Sequence, residues 1–285
     1  MTSIIEHYRE FICGASAGCI ETFVLFPKTK IIFRQQLHNI TLVEAVKQLK
    51  REGTRNLFRG LLPPLMQRTA IRSIMFGTNE KYQRLFGCSE KDQNICRAFC
   101  SFLAGATEAF LCPLERVQSL LQTTKHLDKF KNTWHTFCLI YKDYPLREFY
   151  RGYSLMVMRN GCSNILFFSL REPLRSSLLE LSPQQIDTNR GLFHSLADFI
   201  CGGFLGGCIS TLFYPVNVVK NRMQSSVCAE FISSWRVLKT IMEEREGSIR
   251  ALYRGAQLNF SRSVLTWGIT NSVYGFLIRE LFPKS

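Results

Sequence analysis

The chain has 285 residues, of which 46% are apolar and 20% are charged, and this balance excludes a disordered protein. Lysine and arginine outnumber the acidic residues by 36 to 22, and the resulting net charge of +14 suits nucleic acid, an anionic membrane or an anionic solute as partner. The 11 cysteines do not indicate a disulfide scaffold, because we see no secretory signal before them and the chain is large.

Three copies of one unit follow each other along the chain. In each copy a proline is followed nine residues later by a glutamine and, further on, by an aromatic-Arg-Gly triplet. The prolines are Pro27, Pro113 and Pro215, and the triplets end at Gly60, Gly152 and Gly255. This recurrence predicts a single domain over 1–285 that is built from three similar repeats, at about 1–90, 91–190 and 191–285.

An apolar segment precedes each proline and a second one follows each triplet. Residues 199–219 carry no charge over 21 positions, which is long enough to cross a bilayer. The other segments contain scattered charges, which must face a cavity or a partner rather than lipid. Between the two apolar segments lie amphipathic stretches such as 42–51 and 231–245, which are typical of helices at a membrane surface. We therefore predict an all-α membrane protein whose six transmembrane helices surround a water-filled path, with a soluble helical repeat protein as the alternative.

These residues resemble the mitochondrial carrier family over essentially the whole chain. The family pattern is Pro-x-acid-x-x-base, followed after a surface helix by acid-Gly-x4-aromatic-base-Gly, written three times. The first half is seen in Pro113-Leu-Glu-Arg-Val-Gln, and the second half in Glu52-Gly53 with Phe58-Arg59-Gly60. The resemblance implies six transmembrane helices in the inner mitochondrial membrane, short surface helices on the matrix side, and both termini toward the intermembrane space. It also implies alternating access around one central site, contacts with cardiolipin, and a monomer.

A closer likeness is to the animal mitochondrial NAD transporters within that family. It is carried by Phe33-Arg-Gln-Gln-Leu37, by Gly60-Leu-Leu-Pro-Pro-Leu-Met-Gln67, by Arg159-Asn160-Gly161, and by Arg262-Ser263 with Trp267-Gly268. The implied function is import of oxidised NAD into the matrix. A carrier for another adenine nucleotide or coenzyme, such as ATP, ADP or coenzyme A, and a degenerate carrier that does not transport are the alternatives.

The resemblance also implies a gate at each end of the central path. In the family, the acid two residues after each proline pairs with the base five residues after the next proline. Carried over to this chain, the three pairs are Thr29–Gln118, Glu115–Lys220 and Asn217–Ile32, of which Glu115–Lys220 alone is ionic. At the other end, Glu80–Arg175 is the intact pair. The alternative for each residue is a solvated charge at a helix end.

The family's substrate-contact positions lie seven and eight residues after each repeat glycine. Here these positions hold Gln67, Arg68, Arg159, Asn160, Arg262 and Ser263. Three arginines that converge on one axis are suited to phosphate, through their charge and their paired donors. One helical turn onward the aligned residues are Arg72, Asn164 and Trp267. Trp267 can stack on a base and Asn164 can bind polar edges, although packing in the core or at the membrane interface is an equal alternative for Trp267.

Glu108 says more about the identity of the substrate than the three arginines do. It lies seven residues, or two helical turns, before Glu115, so we expect it to face the cavity unless the helix bends at Pro113. An acid among arginines either balances their charge or attracts a cationic part of the substrate. Oxidised NAD combines an anionic pyrophosphate with a cationic nicotinamide ring, which ATP, ADP and coenzyme A lack. Glu21 lies about 80° off the face that carries Thr29, so it can meet a neighbouring helix instead.

Enzymatic activity finds no support in the motifs. The chain has no phosphate-binding P-loop, no nucleophile elbow and no HExxH zinc motif. Cys96 and Cys100 lack a zinc-like set of partners, and we interpret them as small apolar residues of a membrane helix. Nucleic-acid binding would need a basic face on a recognised fold, whereas the basic residues here are spread over membrane-surface segments. We therefore expect no catalytic residue, no metal, no cofactor and no nucleic-acid partner.

Overall fold

The computed structural model describes the backbone of residues 2–88, 93–123, 129–180, 190–227 and 231–281. Within these ranges it leaves undescribed the side chains of 2–15, 54–55, 68–77, 80, 93, 172, 179–180, 190–200, 267, 271, 274–275 and 278–281. Every regular element of the described backbone is helical.

The α-helices of the described residues are, in chain order, α1 (Thr2–His38), α2 (Leu42–Glu52), α3 (Thr54–Leu57), α4 (Leu62–Leu85), α5 (Gln93–Glu108), α6 (Cys112–Gln122), α7 (Thr133–Asp143), α8 (Tyr153–Glu180), α9 (Arg190–Leu212), α10 (Tyr214–Gln224), α11 (Ser234–Glu244), α12 (Ile249–Leu252) and α13 (Ala256–Leu281). Two 3-10 turns, Ala109–Leu111 and Leu146–Tyr150, lie between them.

The long helices form a closed ring. Helix α1 packs against α4, α4 against α5, α5 against α8, α8 against α9, α9 against α13, and α13 returns to α1. Each third of the ring contains a long helical segment that carries the repeat proline, a short surface helix, and a second long helix. The all-helical architecture of three repeats that the sequence predicts is therefore present.

Apolarity alone identifies few candidate membrane spans in the described residues. One helical stretch, Asn94–Gln122, is long and apolar enough to cross a membrane, and the bent pair Cys201–Leu212 and Tyr214–Gln224 passes the same test when joined. The other long helices carry charges, as the sequence indicates. Glu21 in α1, for example, is only 1% exposed and points into the ring.

The repeat prolines affect their helices differently. Pro27 lies inside the continuous helix α1, whereas α5 and α6 are separated by the 3-10 turn Ala109–Leu111. Helices α9 and α10 meet at Phe213 with a bend of 63°. A proline lacks an N–H and crowds the preceding turn, so it favours a break just before itself. The uncharged stretch 199–219, which the sequence predicts to cross a bilayer, therefore contains this bend.

The glycine that ends each aromatic-Arg-Gly triplet has a backbone conformation that other residues rarely adopt. Its φ is 85° at Gly60, 82° at Gly152 and 92° at Gly255. A Cβ atom on Gly255 would also lie 2.6 Å from the hydroxyl oxygen of Tyr214. The motif thus marks the tight turn from which the second long helix of each repeat begins.

The arginine of each triplet connects its own repeat to the next one. Arg59 donates a hydrogen bond to the carbonyl of Phe130, and Arg254 donates to the carbonyl of Asn39, the residue that follows α1. The guanidinium of Arg151 lies over the ring of Phe231, 4.2 Å from its centroid. The three contacts follow the threefold order of the repeats and join their turns into a continuous layer.

The predicted surface segments are helices. Residues 42–51 lie within α2, and the segment 231–245 contains α11. The hydroxyl of Thr41 caps α2 by accepting from the backbone N–H of Glu44, whose carboxylate accepts from the N–H of Thr41 at 2.8 Å. This hydrogen bond and a second one from the Thr41 hydroxyl lower the pKa of the exposed Glu44 carboxyl.

The corner between α4 and α5 departs from the prediction for the cysteines. Cys96 is bonded to Cys88 in a disulfide, so its interpretation as a small apolar residue is wrong. Cys100 is a buried free thiol, as that interpretation requires. The sequence could not predict this disulfide, because the packing of α4 against α5 is what brings Cys88 and Cys96 together.

Candidate functional site

A polar cavity of about 290 Å³ lies inside the ring and is lined by all three repeats. Its polar and charged lining among the described residues is Glu21, Thr22, Thr29, Gln36, Gln67, Glu115, Gln118, Ser119, Gln122, Arg159, Ser210, Asn217, Lys220, Asn221, Asn259 and Arg262. Leu25, Phe26, Ile32, Phe33 and Pro64 complete the lining. A cavity with this composition is suited to a charged, hydrogen-bonding solute.

Three of the predicted contact residues line this cavity, namely Gln67, Arg159 and Arg262. Asn160 is buried beside Arg159 and accepts hydrogen bonds from its Nε and Nη2 atoms at 3.0 and 2.6 Å. Ser263 is partly buried and is not among the described lining residues. The backbone of α8 is fixed here by a close approach to α5, because a Cβ atom at Gly105 would lie 2.5 Å from the carbonyl carbon of Asn160.

The side chains of four predicted site residues, Arg68, Arg72, Glu80 and Trp267, lie outside the described residues. Two of the three predicted arginines are therefore placed in the cavity. Of the predicted pair Glu80–Arg175, the structure describes only Arg175, which is partly buried near the end of α8.

Glu115 and Lys220, the predicted ionic gate pair, are in contact. Glu115 Oε2 accepts from Lys220 Nζ at 2.5 Å, and its Oε1 lies 3.7 Å from Arg159 Nη2. Arg159 also donates through Nη1 to Asn217 Oδ1 at 3.0 Å. The gate pair and a predicted contact residue thus belong to one network, which connects repeat 2 to repeat 3.

Beyond the gate pair, the repeat glutamines connect neighbouring repeats unequally. Gln224 accepts from the hydroxyl of Ser119 at 3.2 Å, and Gln36 accepts from the amide of Asn221. In repeat 1, the position that corresponds to Ser119 and Asn221 is Phe33, which offers no polar group. The Nε2 of the third glutamine, Gln122, is buried and has no hydrogen-bond partner in the described part of the chain. Among the described residues, these glutamines therefore connect repeat 3 to both other repeats, whereas Gln122 Nε2 makes no such bond.

Glu108 is not among the described residues that line the cavity, and the helix between it and Glu115 is interrupted, which is the exception that the prediction named. It is 7% exposed and accepts a hydrogen bond from Asn164 Nδ2 at 2.8 Å. The two-turn argument fails because the 3-10 turn Ala109–Leu111 separates it from Glu115 and changes the angle between the two side chains. Glu108 still interacts electrostatically with two residues of the cavity lining, Arg159 and Glu115.

Glu21 both lines the cavity and meets a neighbouring helix. Its carboxylate accepts from the hydroxyl of Thr266 on α13 at 2.7 Å. The sequence left its role open, although an acid within an apolar segment is itself a signal of a functional position.

Asn259 and Ser210 are among the lining residues that the sequence analysis did not assign to the site. Asn259 Nδ2 donates to Ser210 Oγ at 2.6 Å, and this contact connects α13 to α9 inside the cavity. The repeat could have identified Ser210, because it occupies the same position as Glu108. Each of these residues lies five positions before the proline of its repeat, Pro215 or Pro113. Asn259 has no polar counterpart in the other copies, so recurrence could not identify it.

Comparison with known proteins assigns the chain to a family. A family profile described as mitochondrial carrier protein matches residues 5–90, 90–182 and 193–285.

The mitochondrial nicotinamide adenine dinucleotide transporter SLC25A51 of Mus musculus is 43% identical over 273 residues, which cover 95% of this chain and 89% of that protein. The mitochondrial nicotinamide adenine dinucleotide transporter SLC25A52 of Homo sapiens is 41% identical over 276 residues, covering 96% and 90% of the two chains. The mitochondrial coenzyme A transporter SLC25A42 of Homo sapiens is 29% identical over 282 residues, covering 93% and 86%. The helical ring of three repeats, the polar cavity within it and these matches lead to one conclusion: the chain belongs to the mitochondrial carrier protein family.

Proposed function

We propose that this chain carries oxidised NAD across the inner mitochondrial membrane into the matrix by alternating access. The observation that carries the proposal is the 41–43% identity, over about 95% of the chain, to proteins named as transporters of nicotinamide adenine dinucleotide. The polar cavity, with arginines and acids on its wall, supports the same substrate class.

In this proposal six long helical segments span the membrane. They are α1, α4, α5 with α6, α8, α9 with α10, and α13. Helices α2, α7 and α11 lie at the matrix surface, and both termini face the intermembrane space. The contact between Glu115 and Lys220 then closes the matrix side. The protein acts as a monomer, and cardiolipin binds at the turns of the aromatic-Arg-Gly triplets, where helix-start N–H groups suit phosphate.

The pyrophosphate is bound by Arg159 and Arg262 together with Arg68. A guanidinium offers paired donors to phosphate oxygens, and its interaction is strengthened where water is excluded. Arg159 is the residue through which binding affects the gate, since it lies 3.7 Å from Glu115. A phosphate that binds Arg159 competes with Glu115 for that charge and so weakens the network around Lys220. Gln67, on the cavity wall, adds a hydrogen bond, and Asn160 orients Arg159 through the two hydrogen bonds that it accepts from it.

The positive nicotinamide ring is attracted by two acids. Glu21 lies on the cavity wall, and Glu108, which accepts a hydrogen bond from Asn164, interacts electrostatically with the lining residue Arg159. A buried carboxylate acts over a longer distance than an exposed one because its field is less screened. Reduced NAD has the same phosphates without the ring charge, so these acids favour the oxidised form.

The test is competition for uptake into liposomes that contain the purified protein. Labelled oxidised NAD should accumulate, and unlabelled oxidised NAD should compete better than NADH, ATP, ADP or coenzyme A. Preferential competition by ATP, ADP or coenzyme A would assign the chain to one of those carriers instead. No accumulation of any of these compounds, with correctly inserted protein, would indicate a degenerate carrier.

A further inference from the structure

The corner between α4 and α5 holds three cysteines, which we call the thiol cluster. Cys88 follows the end of α4, Cys96 lies in the first turn of α5, and Cys100 lies one turn further along α5. Cys88 and Cys96 form a disulfide, and the sulfur of Cys100 lies 3.9 Å from that of Cys88. In the described residues no other group of three or more cysteine, histidine or acidic side chains converges in this way.

The packing of α4 against α5 accounts for the position of the cluster. Cys96 and Cys100 are four residues apart, so they share the helix face that α5 turns toward α4. The rings of Phe86 and Phe99 pack edge to face beside the cluster, with centroids 5.6 Å apart. Further along the same interface, Tyr82 and Thr107 share a hydrogen bond of 2.9 Å. The cluster therefore lies at the end of a well-packed interface rather than in an isolated loop.

Burial distinguishes the three sulfurs. Cys88 and Cys96 are partly exposed, whereas Cys100 is completely buried. A reagent dissolved in water therefore reaches Cys88 or Cys96 first, and burial in apolar surroundings keeps Cys100 in its unreactive thiol form. This difference explains why Cys96 rather than Cys100 is the partner of Cys88.

We propose that Cys88 and Cys96 are an oxidative modification site, at which thiol–disulfide exchange with a small disulfide such as oxidised glutathione joins repeat 1 to repeat 2. One cysteine thiolate attacks a glutathione sulfur, and the first glutathione leaves as a thiol. The second cysteine attacks the protein sulfur of this mixed disulfide, and the second glutathione leaves as a thiol. One S–S bond breaks and one forms, and two electrons and two protons pass from the cysteines to glutathione.

The consequence is a covalent connection between two repeats. Helix α4 ends repeat 1 and α5 begins repeat 2, and the disulfide holds their ends with the Cα atoms of Cys88 and Cys96 5.6 Å apart. The connection lies at the end of α5 remote from the gate residue Glu115, so the bond is compatible with the Glu115–Lys220 contact. Oxidation therefore stabilises the protein in the state that the structure represents, and reduction removes this constraint. This inference does not depend on which solute is transported.

Peptide mapping tests the bond directly, because trypsin separates the three cysteines. Cleavage after Arg84, Lys91 and Arg97 places Cys88 on residues 85–91, Cys96 on 92–97 and Cys100 on the following peptide. The protein, purified without reductant and with free thiols blocked, should yield the first two peptides joined, and reduction should release them. Recovery of three blocked thiols in that sample would overturn the proposal. So would three free thiols around one bound zinc or copper ion, which would make the cluster a metal site.

Variants test the assignment of partners and the effect on stability. With Cys96→Ser, oxidised glutathione should leave Cys88 as a mixed disulfide with glutathione, because the neighbouring thiol of Cys100 is buried and unreactive. Adding Cys100→Ser should not change this outcome, whereas a Cys88–Cys100 bond in the single variant would contradict the role given to burial. Reduction of the unmodified protein should lower its melting temperature by several degrees, and it should have no such effect on Cys88→Ser. Cys138→Ser, which changes an exposed thiol of α7, is the matched control and should melt like the parent in both states. An equal response of Cys88→Ser and the parent to reduction would contradict the stabilising role.

Discussion

Reversing the charges of the gate pair gives a quantitative test of the proposed matrix gate. The side chains of Glu115 and Lys220 are only 15% and 8% exposed, so this contact is closer to a buried ion pair than to a surface one. Breaking a buried pair by changing one partner costs about 3 kcal/mol or more, against less than about 1 kcal/mol for a surface pair. With a cost of about 3 kcal/mol, Glu115→Lys should shift the equilibrium away from the matrix-closed state by about 150-fold.

The second change should restore part of what the first one removes. Adding Lys220→Glu recreates an ion pair of opposite orientation, and the coupling energy between the two changes should exceed about 1 kcal/mol. Recovery should be incomplete for a reason visible in the structure. Arg159 lies 3.7 Å from Glu115, so a lysine at position 115 meets a second positive charge that the double change leaves in place.

Initial rates of NAD uptake into liposomes measure both effects. We expect Glu115→Lys to reduce the rate by about tenfold or more and the double variant to recover a clear part of it. The exposed pair Arg222–Glu244, 2.6 Å apart on the surface, is the matched control, and its charge reversal should change uptake little. Fully additive losses at Glu115 and Lys220 would show that their contact has no energetic role in the transport cycle.

The remaining predictions concern the cavity. Arg159→Ala and Arg262→Ala should each weaken NAD binding by about tenfold or more, because each removes a charged hydrogen-bond donor from the proposed phosphate site. Arg68→Ala should do the same if this third arginine completes the set, and normal concentration dependence of uptake in all three variants, with unchanged membrane insertion, would remove the phosphate assignment. Glu108→Gln keeps the side-chain size and removes the charge, so it should reduce the preference for oxidised over reduced NAD in competition for uptake. Glu21→Gln should reduce it as well, since that carboxylate lies on the cavity wall, and an undiminished preference in both variants would show that the acids merely balance the arginines.

The features that recur in all three copies were the ones that the sequence could predict. The turn glycines, the repeat prolines and the short surface helices each occur three times, so a structural role could be separated from coincidence. Family membership is confirmed, and the structure brings together Glu115 and Lys220, which the family resemblance had placed at gate positions. Arg159 and Arg262 were placed at substrate-contact positions by the same resemblance, and both line the cavity.

The features that depend on local irregularities could not be predicted. The cavity-facing position of Glu108 required a regular helix between it and Glu115, and a 3-10 turn interrupts that helix. The disulfide of Cys88 and Cys96 depends on how two helices pack at a corner, which spacing alone does not determine. The contact of Arg159 with Glu115 likewise joins two residues that the sequence assigned to separate functions.

The central claim, that this carrier transports NAD, is tested most directly by the accumulation of labelled compounds in liposomes. The unmodified protein should accumulate labelled oxidised NAD well above protein-free liposomes, and faster than labelled ATP, ADP or coenzyme A at equal concentration. Arg262→Ala should abolish most of this difference while inserting normally. Uptake of ATP, ADP or coenzyme A that equals or exceeds that of oxidised NAD would contradict the claim.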